Sequence, residues 1–223
     1  MAVIIFFVVV FAEGIHVNIP ITMGRHGIGG RFPVKLLYVS NIPVILAVAL
    51  FANIRIMTMA LQNIPVVGIL LGWLNTILTV QSGLLNMVLL QGDIIASLPQ
   101  IGLAFIYLII FTITCVVFGK LWVDLAGQGP GAVAEQLNRS GMFIPGFRRD
   151  PRIVQQVLER YIPTITILGS AFVGILAAVA DLTNAVGSGT GILLTVGIVY
   201  RLYEELAKQQ VMDSHPLLKK VLG

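Results

Sequence analysis

Charge is scarce in this sequence: only 11% of its 223 residues are Asp, Glu, Lys or Arg, against roughly 25% in an ordinary soluble domain. With 57% apolar residues alongside, that scarcity excludes a water-soluble globule. Cysteine is nearly missing as well. Cys115 stands alone, which rules out an intrachain disulfide and a cysteine-based zinc site and leaves packing in an apolar helix as its role. The three histidines, His16, His26 and His215, have no ligand spacing, so no metal is expected. Glu204 and Glu205 are adjacent, and helical geometry does not aim neighbours at one reacting atom. Arg201 with Glu205 and Glu204 with Lys208 instead make ordinary i, i+4 pairs on a solvated face. The GSGTG run at 187–191 has the glycine density of a phosphate loop, but no strand precedes it and no lysine follows. These gaps predict no catalytic residues and no cofactor, hence no enzyme.

Long apolar runs are what the chain has in abundance. A bilayer core about 30 Å thick takes roughly 20 apolar helical residues, and four stretches approach that length: 40–61, 99–119, 162–180 and 188–203. A fifth run, residues 1–12, is too short to cross at about 1.5 Å per residue. No basic residue precedes it, and Glu13 and His16 follow where small residues would mark a cleavage site, so it does not read as a signal peptide. It is expected to be a truncated spanning helix whose first half lies upstream. Residues 62–98 are apolar but interrupted by Gly68, Gly72, Asn75, Gln81, Gly83 and Asn86. They are read as an external hairpin or interfacial excursion packed on protein, since bare irregular backbone is unstable in lipid.

Every lysine and arginine except Arg55 falls in 13–39, in 120–161 or at and after the end of the last span. The positive-inside rule therefore predicts that these two loops and the 204–223 tail are cytosolic. It also makes the Asn138–Ser140 glycosylation sequon unusable. Within the first loop, residues 13–36 alternate apolar and polar before Gly24, Gly27, Gly29 and Gly30, the pattern of a hairpin with a basic tip. In the second, Ala132–Arg139 reads as a helix stopped at Gly141. Asp150 and Pro151 then open an amphipathic helix with Ile153, Val154, Val157, Leu158 and Tyr161 on one face, which enters the membrane at Pro163. Between them, residues 140–149 form an exposed tip with Phe143, Phe147, Arg148 and Arg149. Topology alone accounts for cations on a cytosolic flank. Two basic projections on one face also suit the phosphates of a large RNA partner.

YVSNIPVILAVALFAN at 38–53 resembles the second half of the archaeal SecY family, whose members form the pore of the Sec protein-conducting channel. GRFPVKLLYVSNIPVILA (30–47), TCVVFGKLWVD (114–124), GMFIPGFRRD (141–150), RYIPTITILGSAFVGILA (160–177) and GSGTGILLTVGIVYRLYE (187–204) extend the resemblance over most of the chain in unchanged order. The resemblance implies an all-α membrane protein of about five transmembrane helices, the first truncated, equivalent to the second of two inverted repeats. It implies as partners the missing N-terminal half, SecE-like and small beta subunits, a ribosome, nascent or unfolded polypeptide, and the bilayer.

The same resemblance suggests individual roles. Ile45 and Leu194 match positions in an apolar pore ring, where branched side chains dewet a constriction without a charge to trap a passing chain. Read from residue type alone, either one is ordinary helix packing. Asn53 matches a polar lateral-gate residue, though an interfacial Asn beside Arg55 has the same appearance in sequence. Arg25 and Arg148, with the adjacent Arg149, match loop arginines that contact the ribosome or another cytosolic partner. The function implied is passage of secretory proteins and lateral release of membrane segments. In lipid each Leu, Ile, Phe or Val favours insertion by about 0.3–0.6 kcal/mol and each central Arg, Lys or Asp opposes it by about 2.5–3.5 kcal/mol. Two other classes remain open at this point: a small-solute secondary transporter, disfavoured because ionisable groups avoid the span centres, and an inert truncated fragment.

Overall fold

The computed structural model describes residues 2–23, 28–35, 39, 41–61, 65–78, 94–139, 142–143, 151–183 and 189–214. Seven helices and a small sheet account for them: α1 (Ala2–Glu13), β1 (His16–Met23), β2 (Ile28–Lys35), α2 (Ile42–Leu61), α3 (Pro65–Leu78), α4 (Ile94–Leu125), α5 (Pro130–Arg139), β3 (Met142–Phe143), α6 (Pro151–Leu182) and α7 (Gly189–Ser214).

Three of the helices, Ile42–Leu61, one within Pro99–Arg139 and Val154–Leu182, are long and apolar enough to cross a membrane. The 188–203 stretch lies almost wholly within α7. Arg201, Glu204 and Glu205 follow its apolar first half too closely for α7 to meet the same standard of length and composition. The short run at the start is helical, and α1 buries Ile5, Val9 and Ala12 on one stripe while Val3, Ile4, Phe7 and Phe11 face outward. Apolar side chains also cover the outer faces of α2 and α4, including Ile56, Met57, Phe105 and Ile113. Such a surface is at home in lipid and not in water.

Helix α6 organises the bundle. Its first half buries Val154, Leu158 and Ile162 with Val123 of α4 and Ala134 and Leu137 of α5. Its second half buries Val173, Ala177 and Ala178 with α1, α2, α4 and α7. The helix begins at Pro151, where the sequence placed it, and runs through Pro163 without interruption. Proline there removes one donor and crowds the carbonyl of Glu159, a cost outweighed in a helix held by packing on both sides. Small residues bring α4 and α6 together: a Cβ on Gly119 would lie 2.0 Å from Ser170 Oγ, and one on Gly174 would lie 3.1 Å from Cys115 Cβ. Buried Cys115 is thus a packing residue in this crossing, and close backbone approach is how membrane helices gain dispersion contact where lipid offers no hydrophobic driving force.

Helix α4 stops where the backbone turns left-handed at Gly127, φ +64°. Gln128 N–H donates to Val123 O at 3.0 Å and Gly127 N–H to Asp124 O at 3.4 Å, the paired bonds of a Schellman ending. α5 then starts at Pro130, a residue that lacks the donor a first turn leaves idle, and an Arg139–Glu135 pair closes its exposed face at 2.6 Å.

The glycine-interrupted stretch after α2 forms a helix over 65–78, whereas residues 79–93 of the expected excursion lie outside the described residues. Each helical glycine costs about 1 kcal/mol relative to alanine. Apolar surroundings outweigh that cost, because a helix satisfies its own backbone groups. The alternating segment after α1 is a hairpin, with β1 and β2 antiparallel from His16 opposite Lys35 to Met23 opposite Ile28. β3 joins the other edge of β1, Thr22 opposite Phe143 and Met23 opposite Met142. The two basic loops are therefore stitched into one three-stranded sheet ordered β2-β1-β3.

Candidate pore-lining cleft

The sequence-selected pair Ile45 and Leu194 sits on different helices, and the fold brings them to one place. An open cleft of about 140 Å³ is lined by both, together with Glu13, Asn41, Ile42, Gly197, Ile198 and Arg201. Ile45 is 39% exposed and Leu194 is half-buried. Neither is sunk in the core as a plain packing residue is: the buried neighbours are Val44 and Ala47 on α2 and Leu193 and Val196 on α7. Ile42, Ile45, Leu194 and Ile198 make the aliphatic part of the lining, side chains that disfavour water without themselves presenting a charge.

Glu13, Asn41 and Arg201 make the polar part of the same lining. Glu13 and Asn41 are both only 6% exposed. Asn41 precedes α2, and its carbonyl accepts the Ile45 N–H at 3.2 Å, which makes it the N-cap. Its side chain does not cap the helix. Nδ2 crosses to α7 and donates to the Leu193 carbonyl at 2.6 Å, leaving Oδ1 buried without a partner among the described residues. Sequence reasoning passed over this residue. The signal available was an Asn directly before an Ile-Pro helix start.

Asn53 lies further along α2, exposed, and its Nδ2 donates to Ala49 O of its own helix at 2.9 Å. A larger open cavity of about 570 Å³ lies between α2, α3, α4 and α6, with Phe51, Arg55, Asn75, Tyr107, Phe111 and Asp181 among its lining residues. The Asp181 carboxylate lies near the Tyr107 hydroxyl. Phe51, Tyr107 and Phe111 form an aromatic cluster with centroids 5.5–6.3 Å apart. Asn53 is not on its wall.

Arg25, Arg148 and Arg149 lie outside the described residues, as do His26 and His215. The strands next to the arginines are described. Arg25 follows paired Met23 by two residues, and Arg148 follows paired Phe143 by five. His16 Nδ1 lies 2.7 Å from Gly14 O. Among the described residues no three His, Cys, Asp or Glu side chains group to hold a metal.

The SecY family model matches residues 1–203. This chain belongs to the SecY family. It is 45% identical over 228 residues to the SecY protein translocase subunit of Methanothermobacter thermautotrophicus, covering 98% of this chain and 48% of that protein. Against the same subunit of Methanocaldococcus jannaschii it is 42% identical over 224 residues, covering 99% and 50%. A solved structure described as that of a protein-conducting channel superposes with a TM-score of 0.71 at 39% identity, over 96% of this chain and 49% of its own. A second, described as a SecY protein whose plug domain stabilises the closed channel, gives 0.71 at 38% identity, over 96% and 50%. The chain thus spans about half the length of the curated SecY relatives it matches, and its fold is a helical membrane fold of SecY type. These relatives are translocase subunits and channels, which gives no support to a small-solute transporter or an inert fragment.

Proposed function

We propose that this chain is the C-terminal, five-helix half of a SecY channel subunit. With an N-terminal half it encloses a passive conduit for secretory proteins and for membrane segments that leave sideways into lipid. The observation that carries this reading is the shared cleft: Ile45 on α2 and Leu194 on α7 line it together in a chain whose relatives are protein-conducting channels. These two branched side chains carry no charge, so a constriction built on them resists water and ions yet holds no extended chain by charge. Asn53, on the exposed face of α2, is the polar gate residue. In this reading its weak intrahelical bond gives way to partners across the gate, each worth about 0.6–2 kcal/mol.

The plasma membrane is the proposed location, with the sheet, α5 and the C-terminus on the cytosolic side. Beyond the N-terminal half, SecE-like and small beta subunits are the proposed membrane partners. At the cytosolic face, pairing of β1 with β3 supports a single docking platform. Arg25, two residues after β1 in the sequence, and Arg148 and Arg149, five and six after β3, are the proposed ribosome contacts.

Site-specific crosslinking tests the conduit. A photoreactive residue replacing Ile45, in the channel complex engaged by a stalled nascent chain, is expected to capture that chain. One replacing the lipid-facing Ile113 is not. Equal capture at both positions, or none at Ile45, removes the pore assignment.

A further inference from the structure

We infer that Asn41 is the positioning residue of the proposed ring: it fixes the register of α2 against α7 and so holds Ile45 and Leu194 on one wall. The inference rests on the channel reading for what the ring does, but the positioning stands on geometry alone.

An N-cap asparagine ordinarily turns its side-chain oxygen back to the first-turn amides of its own helix. In α2 the second residue is Pro43, which has no amide hydrogen, and Asn41 turns away instead. The 2.6 Å contact runs to a carbonyl, which only accepts, so the group facing it is the amide NH2 and not the oxygen. A helical carbonyl has a second lone pair beyond the one used along its helix, and Leu193 offers that pair to a neighbouring element. The cost is visible in Oδ1, which stays buried and unpartnered among the described residues. A polar side chain that gives up its own helix cap and leaves an orphan oxygen is held by the cross-helix bond.

Both ends of the bond lie next to the ring. Asn41 is one helical turn before Ile45 and carries its first backbone hydrogen bond, and Leu193 directly precedes Leu194. Gly197 makes the approach possible: a Cβ there would lie 2.7 Å from Asn41 Nδ2, while its next contacts, Asn41 Cγ at 3.8 Å and Glu13 Oε1 at 3.9 Å, are ordinary. Glycine at 197 and asparagine at 41 thus form a matched pair across the seam.

The test uses the chain as isolated from its membrane with its copurifying subunits, in nanodiscs. Spin labels at Ile45→Cys and Leu194→Cys in a Cys115→Ala background give a distance distribution. A control pair at Ile113→Cys and Ile167→Cys reports the α4–α6 crossing. Asn41→Ala is expected to lower the main 45–194 distance, relative to its alternatives, about threefold to tenfold, the weight of one interhelical hydrogen bond in a membrane bundle. Gly197→Ala, which keeps the asparagine but blocks its approach, is expected to do the same. The double variant Asn41→Ala/Gly197→Ala is expected to match Asn41→Ala alone, because no amide remains to be displaced. The control distance stays fixed throughout. Unchanged 45–194 distances, additive effects, or equal broadening of the control pair overturn the inference. Altered 45–194 distances with unchanged closed-state ion conductance would leave the positioning intact and remove the pore-ring reading instead.

Discussion

At Ile45 and Leu194 the relevant quantity is wetting. An aliphatic constriction excludes water because no side chain replaces the hydrogen bonds water gives up. Replacing Ile45 with Asn, close in size but able to hydrogen-bond, is expected to raise closed-state ion conductance by about tenfold in planar bilayers. A Val at the same position is expected to leave conductance near its starting level. At the α4–α6 crossing the relevant quantity is space. Gly119→Ala sets a methyl 2.0 Å from Ser170 Oγ and is expected to destabilise the bundle by about 1–3 kcal/mol, read as a lower midpoint in detergent thermal unfolding. Gly102 has no described atom within 4 Å of its Cβ position, so Gly102→Ala in the same helix is expected to show no such loss. The glycine count in the sequence does not separate these two. Which glycine lies against a neighbour depends on how α4 is rotated toward α6, and no local pattern specifies that rotation.

Among the elements, the end of α4 and the start of α5 depend on one backbone conformation. Gly127→Val puts a β-branched residue at φ +64°, where a non-glycine residue costs about 1–2 kcal/mol. The expected result is faster amide hydrogen exchange at Gln128 and Val133, whose N–H groups bond to Val123 and Gly129, with the amides in the middle of α6 unchanged. Much of this level is readable in sequence. Pro151 after Asp150 starts α6, alternation with a glycine-rich tip gives the β1–β2 hairpin, and α5 is recognised from Ala132 although it begins two residues earlier at Pro130. These signals are local, because caps, proline and period-2 alternation act within a few residues. The partnership of β3 with β1 is not readable in that way. Two residues, Met142 and Phe143, carry no strand signature of their own, and they pair with a strand far upstream because the fold brings the two loops side by side. The helix over 65–78 is likewise decided by surroundings that outweigh its glycines.

For the molecule as a whole, most charge among the described residues lies on the sheet, on α5 and toward the ends of the long helices, and apolar side chains cover the outer faces of those helices. If the paired loops dock on ribosomal RNA, affinity falls steeply with salt, by roughly 0.7–0.9 in the log–log slope for each phosphate neutralised. Arg25→Glu and Arg148→Glu, each made in the assembled channel, are expected to weaken ribosome binding and to flatten that slope by about one contact apiece. Cosedimentation over a salt series measures both. Affinity and slope unchanged by either substitution would assign these arginines to membrane topology alone.

Composition and hydropathy were enough to place this chain in a membrane, because the bilayer demands about 20 apolar residues per crossing and tolerates charge only at the ends. The motif around residues 38–53 was enough to reach the family. The tertiary structure alone decided that Ile45 and Leu194 share one cleft and that Asn41 spans from α2 to the Leu193 carbonyl. It alone decided that two separate basic loops are joined in one sheet. Each of these is a contact between residues distant in sequence, set by how helices rotate and cross, and periodicity along a single helix carries no information about its partner.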